Sequence, residues 1–276
     1  MQLVALVSER RACVLVGVNR ATYRYQSQRL DQDQALIERI QSLAYERKRF
    51  GYRRIHQLLI REGVQVNHKK VHRLYSAEGL AVRKRAKRSR ASVERQPLQL
   101  PTEANHTWSM DFVMDALVNG RRLKCLTIVD DYTKECLDIP VNTRLTGHDV
   151  VRTLEAVAAF RGLPKSIRTD QGPEFTSKAL TYWADQKGVE LLLIEAGQPT
   201  QNAYIESFNG KFRDECLNEH WFGDVAQAQH LIQQWRVDYN EARPHSALGY
   251  YTPSEFAVLT RTKPLELTST TKLPLD

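Results

Sequence analysis

Residues 202–218 read Asn-Ala-Tyr-Ile-Glu-Ser-Phe-Asn-Gly-Lys-Phe-Arg-Asp-Glu-Cys-Leu-Asn. In a helix, Ile205, Phe208, Phe212 and Cys216 recur at i, i+3, i+7 and i+11 and form one apolar stripe. Glu206, Asn209 or Gly210, and Arg213 fall on a neighbouring polar stripe. A helix that buries the first stripe in a core therefore presents a carboxylate, with Lys211 and Arg213 within two turns of it. Taken alone, the same pattern describes an ordinary surface helix with a solvated glutamate. Two carboxylates upstream change that balance.

Asp111 lies in Thr107-Trp-Ser-Met-Asp-Phe-Val-Met, a run that reads as a buried or half-buried strand. Asp170 lies in Ile167-Arg-Thr-Asp-Gln-Gly-Pro-Glu-Phe, where a short strand breaks at a Gly-Pro turn. Two strand aspartates and a helix glutamate can converge three anions. Without a partner they repel and one stays protonated, so a divalent cation between them is the simplest solution. Oxygen-only ligands favour magnesium or manganese over zinc.

Asp170 follows Asp111 by 59 positions, and 35 residues lie between Asp170 and Glu206. This spacing resembles the DD(35)E signature of retroviral integrases and their transposase relatives. The flanks agree: Thr169 to Phe175 resembles that family's second-aspartate motif, and Ala203 to Asn209 its glutamate motif. Arg213 stands seven positions after Glu206, where the family carries a basic residue. Tyr239-Asn-Glu-Ala-Arg-Pro-His-Ser-Ala-Leu-Gly-Tyr and Thr252-Pro-Ser-Glu-Phe resemble the tail of one bacterial branch. There, insertion sequences encode the catalytic protein in the second of two overlapping frames. The likeness covers roughly residues 8–258.

The resemblance implies an α/β core with a ribonuclease H-like mixed sheet flanked by helices. It implies that Asp111, Asp170 and Glu206 are catalytic and hold two divalent ions, Mg2+ or Mn2+, with Asp111 bridging both. The reaction it implies is 3′-end cleavage of the element's terminal inverted repeats, followed by strand transfer into target DNA. Joining two ends implies a homo-oligomer on DNA, and the branch often works as a fusion with the upstream-frame protein. A DNA-binding regulator with an inert core and a simple metal-dependent nuclease are the alternatives.

Composition agrees with a DNA enzyme. The 276 residues are 42% hydrophobic, enough for a real core. No run approaches the ~18 apolar residues of a membrane span. Met1 to Val7 is too short for a signal-peptide core, so no targeting segment is expected, and the resemblance implies a cytoplasmic, nucleoid-associated bacterial protein. Cys13, Cys125, Cys136 and Cys216 make no CxxC pair and are expected as buried free thiols. The net charge of +8 conceals a division. Residues 1–100 hold 22 lysines and arginines against 8 acidic residues, whereas residues 101–276 hold 18 against 24. A basic first part ahead of an acidic domain points to a bound polyanion.

Small all-α, helix-turn-helix-like DNA-binding modules are expected ahead of the core. Residues 1–30 form a short helix-turn-helix-like segment, with Ser8 and Asn19 as N-caps and a turn at Gly17. A plain helical hairpin is an equal reading there. Residues 31–80 form a helical DNA-binding module in which Val71, Leu74 and Tyr75 point inward. Lys69, Lys70, His72 and Arg73 then remain for the major groove. His68 and His72 stand four apart, but no cysteine pair follows, which argues against zinc. Residues 81–103 are a basic linker carrying Arg83, Lys84, Arg85, Lys87 and Arg88, expected to track phosphates.

Residues 104–262 are the expected catalytic core and 263–276 a tail. Strands are predicted at 107–116, 122–130, 135–141, 165–169 and 189–194, and helices at 147–161, 177–187, 202–218 and 224–240. Lys211 and Arg213 are expected beside the reacting strand. The loop 195–201 is expected to order on DNA. Asp130 and Asp131 fit a strand-to-strand turn and are set aside with Asp115, and Glu174 reads as a structural or substrate-side group. Arg243 and His245 fit DNA contact and helix packing equally well.

Overall fold

The structure, a computed structural model, describes residues 8–24, 29–82, 101–194 and 202–262. The chain divides into two units, Met1–Arg83 and Lys84–Asp276. The basic-linker residues Arg83, Lys84, Arg85, Lys87 and Arg88 and the loop 195–201 lie outside the described residues.

In the first unit, α1 (Glu9–Val16) and α2 (Arg20–Arg24) form a hairpin. Gly17 turns it at φ +67°, a left-handed conformation that suits glycine. The Asn19 side chain caps α2 by accepting from the Ala21 N–H, and Glu9 bridges Arg20 and Arg24. Ser8 makes no side-chain cap. Helices α3 (Arg29–Glu46), α4 (Tyr52–Arg61) and α5 (His68–Ala77) enclose a separate core of Ile40, Leu43, Ile55, Leu59, Val71, Leu74 and Tyr75. Asn67 caps α5 by accepting from Lys69 N–H.

In the second unit, β1 (Thr107–Ala116) and β2 (Arg122–Asp130) form a long antiparallel hairpin, continued by β3 (Cys136–Asp138) and β4 (Val141–Asn142). After α6 (Gly147–Arg161), strand β5 (Ser166–Thr169) enters parallel to β1. After α7 (Lys178–Lys187), β6 (Glu190–Leu193) pairs parallel to β5, giving the order β3-β2-β1-β5-β6 with β4 on β2. Helices α8 (Ala203–Glu215), α9 (Val225–Glu241) and α10 (Pro253–Thr262) complete the unit.

Strand alternation builds two apolar layers, one on each sheet face. Met110, Leu126 and Ile128 pack with Val150 and Leu154 of α6 and Leu180 and Trp183 of α7. Val113, Cys125 and Val129 pack with Ile205, Phe208 and Phe212 of α8 and Ile232 and Trp235 of α9. Gly147 lets α6 approach the start of α7, since a Cβ there would stand 2.1 Å from Ser177 Oγ. All four cysteines are free and buried, and burial pushes the Cys125 thiol up to about 12.

Three departures from the sequence expectation have simple causes. The strand predicted at 135–141 is two short pieces, because Pro140 has no N–H to donate to the ladder. The helix predicted to 218 ends at Glu215 and continues as a 3-10 turn, Leu217–Glu219. Helix α10 was not predicted. It opens with Pro253 at its first position and a reciprocal capping pair between Thr252 and Glu255.

Candidate active site

Asp111 stands in the middle of β1, opposite Thr127 of β2, on the sheet face covered by α8. Its Oδ1 accepts from the Phe112 N–H at 2.7 Å and its Oδ2 from Asn209 Nδ2 at 2.8 Å. The Thr127 hydroxyl lies 2.9 Å from Asn209 Oδ1 and 3.1 Å from the Asp111 carbonyl oxygen. Asn209 therefore bonds α8 to both strands of the hairpin. The amide donates to one carboxylate oxygen while the Thr127 hydroxyl fixes its orientation.

Asp170 follows β5 directly. The parallel register pairs Ser109 with Arg168, so continuing it two residues sets Asp170 alongside Asp111. Asp170 is exposed, and its Oδ1 accepts from the Gly172 N–H at 3.0 Å. Glu206 is exposed in the first turn of α8, three residues before Asn209 and on the same side. Asp170 and Glu206 both act on Asp111. Burial pushes Asp111 up to about 6, and the charges of Asp170 and Glu206 add to that rise. The bonds from Phe112 and Asn209 work against it. Among the described residues none of the three has a lysine, arginine or histidine partner.

A hard divalent cation fits this donor chemistry: oxygen ligands only, mutually repelling, and with no cation supplied by the protein. Among the described residues, no three His, Cys, Asp or Glu side chains are drawn together into a ready ion cage. An ion would thus have to pull exposed Asp170 and Glu206 in towards Asp111.

The carboxylates set aside have their own partners. Asp130 accepts from the N–H groups of Asn105, Tyr132 and Thr133, and Asp131 pairs with Arg168 at 2.8 Å. Asp115 Oδ1 accepts from the Ala116 N–H, and Glu174 pairs with Lys124. Lys211 Nζ reaches Ser207 Oγ at 3.2 Å along α8, and Arg213 donates to the Met114 carbonyl at 3.0 Å, strapping α8 to β1. Lys69 is exposed on α5, whereas Lys70 and Arg73 clasp the buried Asp33 at 2.5 and 3.0 Å. His72 packs against the Tyr52 ring at 4.4 Å.

Arg243 and His245 resolve towards packing. Arg243 is 1% exposed and grips Glu215, the last residue of α8, through two bonds of 2.7 and 2.6 Å. His245 lies under the ring of Tyr239, which packs edge-on to Phe208. The tail thereby holds α8 from its far end.

Sequence reasoning put Asn209 on the polar stripe without a role. The available sign was its spacing of three from Glu206, which places an amide beside a candidate carboxylate.

Comparison with known proteins agrees with this layout. Residues 101–199 and 187–253 match integrase core domains, and residues 31–88 match an HTH-like domain. The chain is 59% identical over 251 residues to a 31.7 kDa protein of insertion element IS407 from Burkholderia multivorans, covering 91% of each. It is 55% identical to a 39.2 kDa protein of insertion element IS476 from Xanthomonas euvesicatoria, covering 93% of this chain and 74% of that one. A putative transposase, InsK, of IS150 from Escherichia coli is 27% identical over 87% of this chain and 89% of its own. Among solved structures, a simian T-cell lymphotropic virus intasome superposes with a TM-score of 0.53 at 14% identity, over 86% of this chain and 76% of that one. The second unit thus has a ribonuclease H-like fold.

Proposed function

We propose that this chain, which belongs to the insertion-sequence transposases of the retroviral integrase-like family, cleaves the 3′ ends of its element's terminal inverted repeats and joins them to target DNA. Asp111, Asp170 and Glu206 are the residues assigned to the chemistry. They would hold two Mg2+ or Mn2+ ions. Bound there, the ions would neutralise charge on the reacting phosphate and on the attacking and leaving oxygens.

The chain's own residues have three tasks in this reading. Asn209, fixed by Thr127, keeps the Asp111 carboxylate in one orientation. Helix α8, anchored by its apolar stripe and by Arg243 at its far end, carries Glu206 to the site. Lys211 and Arg213 flank the element end. In the first step, water attacks the phosphorus at the element's terminus, the bond to the 3′ oxygen breaks, and a 3′ hydroxyl is freed. In the second, that hydroxyl attacks a target phosphorus, a new phosphodiester forms, and the target's own 3′ oxygen departs. No covalent bond to the protein is made, and one phosphodiester replaces another.

The observation that carries this reading is the state of Asp111: a half-buried carboxylate whose charged neighbours are two further carboxylates. The helical first unit, with its HTH-like match, is assigned to end recognition, and a homo-oligomer, with or without the upstream-frame protein, to bringing two ends together. The protein would act on the bacterial chromosome.

A strand-transfer assay with labelled end DNA, plasmid target and Mg2+ tests the proposal. Joined product supports a transposase, cleavage alone a nuclease, and binding alone a regulator. Glu206→Gln is expected to lose joining while keeping affinity for end DNA. Normal joining by that variant would refute the site assignment.

A further inference from the structure

On the sheet face away from α8, a cleft of about 410 Å3 opens between the β1–β2 hairpin, the start of α6 and the loop after Asp170. Arg122, Lys124, Arg144, Thr146 and Glu174 give it its polar walls, with Met114 at its base. Met114 and Lys124 are register partners three positions from Asp111 and Thr127. At ~3.4 Å per strand residue, the cleft begins roughly 10 Å from the Asp111 backbone.

Its charge sets it apart. Residues 101–276 carry 18 lysines and arginines against 24 aspartates and glutamates, a net charge of −6. Of the ten arginines among the described residues of the second unit, six are spoken for, and Arg121 and Arg261 do not line the cleft. Arg152, Arg161, Arg168 and Arg243 meet carboxylates, and Arg213 and Arg236 donate to backbone carbonyls. Arg122 and Arg144 are exposed and, among the described residues, have no partner. The acidic groups nearest to them are already taken. Glu174 holds Lys124, and Asp149 is bound by Thr146 and Arg152, whose bonds keep it below the usual carboxylate range. Two unmatched guanidinium forks beside a braced Lys–Glu pair fit phosphate oxygens, which arginine meets in bidentate fashion.

The position selects which DNA this is. In-line displacement brings the attacking and leaving oxygens to opposite sides of one phosphorus. The α8 side, with Lys211 and Arg213, is assigned to the element end. The cleft lies beyond β1 on the other face, where the Phe112 and Met114 side chains point.

We propose that Arg122 and Arg144 seat the backbone of the target duplex, about three phosphates from the one attacked. This rests on the transposase reading above. The full chain is supplied with labelled, pre-cleaved and uncleaved end duplexes and with plasmid target. The ratio of joined to 3′-cleaved product is followed against target concentration and salt. For Arg122→Ala with Arg144→Ala, the target concentration for half-maximal joining is expected to rise about tenfold. The salt dependence of joining should flatten by about one unit of slope for each phosphate that the variant no longer neutralises. The Arg→Lys pair should restore most of the joining. Should the double variant unfold, which its thermal transition would report, Arg144→Gln alone replaces it. Equal losses of cleavage and joining would assign the cleft to the element end and overturn the proposal, as would an unchanged target dependence. A parent protein that cleaves but never joins would instead overturn the transposase reading.

Discussion

Asp111 and Asp131 lie in one domain, and burial pushes both carboxyl groups up to about 6. Their neighbours divide them. Asp131 has Ser109, the Arg168 guanidinium at 2.8 Å and the Lys134 ammonium opposing the rise, against the smaller push of adjacent Asp130. Lys134 is itself pulled down to about 8 by burial and rests on the Tyr204 ring at 3.6 Å. Asp111 receives only neutral donors, and its charged neighbours Asp170 and Glu206 add to the rise. A buried anion with its own guanidinium has its charge matched inside the fold, although Asp131 keeps one oxygen, Oδ1, without a hydrogen-bond partner. An anion whose charged neighbours are both carboxylates has no matching charge inside the fold. The size of a shift therefore does not mark a functional group; the sign of its neighbours does.

Charge removal should act oppositely at the two places. Asp111→Asn is expected to reduce joining at least ~1,000-fold, about 4 kcal/mol of transition-state stabilisation, without loss of the fold. Its folded-state proton affinity lies above the ordinary carboxylate value, so the parent binds that proton more tightly folded than unfolded. Stability should thus fall as pH rises from about 4 to about 6, and the variant should lose that component. An active Asp111→Asn protein ends the contrast. Arg168→Met strands Asp131 without its partner and should cost about 3–5 kcal/mol in urea unfolding at pH 7. Part of that loss should return at pH 5, where Asp131 can take up a proton. A variant as stable as the parent at pH 7 would mean that Arg168 does not complete Asp131.

This distinction was half legible in the sequence. Strand periodicity located β1 and β2, and the 3.6-residue stripe located α8, because both are long and carry one apolar face each. Asp130 and Asp131 were separable from Asp111 because adjacent acidic residues between two strands read as a turn. Arg168 could not be paired with Asp131 from spacing, since that contact joins elements 37 residues apart. Asn209 was visible on its stripe, but its bond to Asp111 depends on how α8 lies across the hairpin. Helix α10 carried a readable start in Thr252, Pro253 and Glu255, which the family likeness of that motif overshadowed. Arg243 fits DNA contact and helix packing equally well in the sequence, and only tertiary burial decides for packing.

Asn209 sharpens the comparison because it stands beside Asp111 where Arg168 stands beside Asp131. Asn209→Ala removes one neutral donor and frees the carboxylate to rotate. A 10- to 100-fold loss of joining is expected, of the size seen when partners of metal ligands are removed. The loss should appear as a higher metal concentration for half-maximal rate, with end-DNA affinity unchanged. A change confined to DNA affinity would make Asn209 a DNA contact instead.

The smallest expected effect separates the two aspartates most directly, because it needs neither DNA nor turnover. If Asp111 awaits an external cation, Mg2+ alone should stabilise the folded chain at pH 7.5. At ten times its Kd the gain would be about 1.4 kcal/mol, or roughly 3–6 °C in the unfolding transition of a domain this size. At pH 5 the Asp111 proton competes with the ion, so the gain should shrink there and vanish in Asp111→Asn. In Asp131→Asn the gain should persist, since Arg168 already fills the place an ion would take. Equal stabilisation at both pH values, or in Asp111→Asn, would put the ion elsewhere. The like-charged surroundings of Asp111 would then need another explanation.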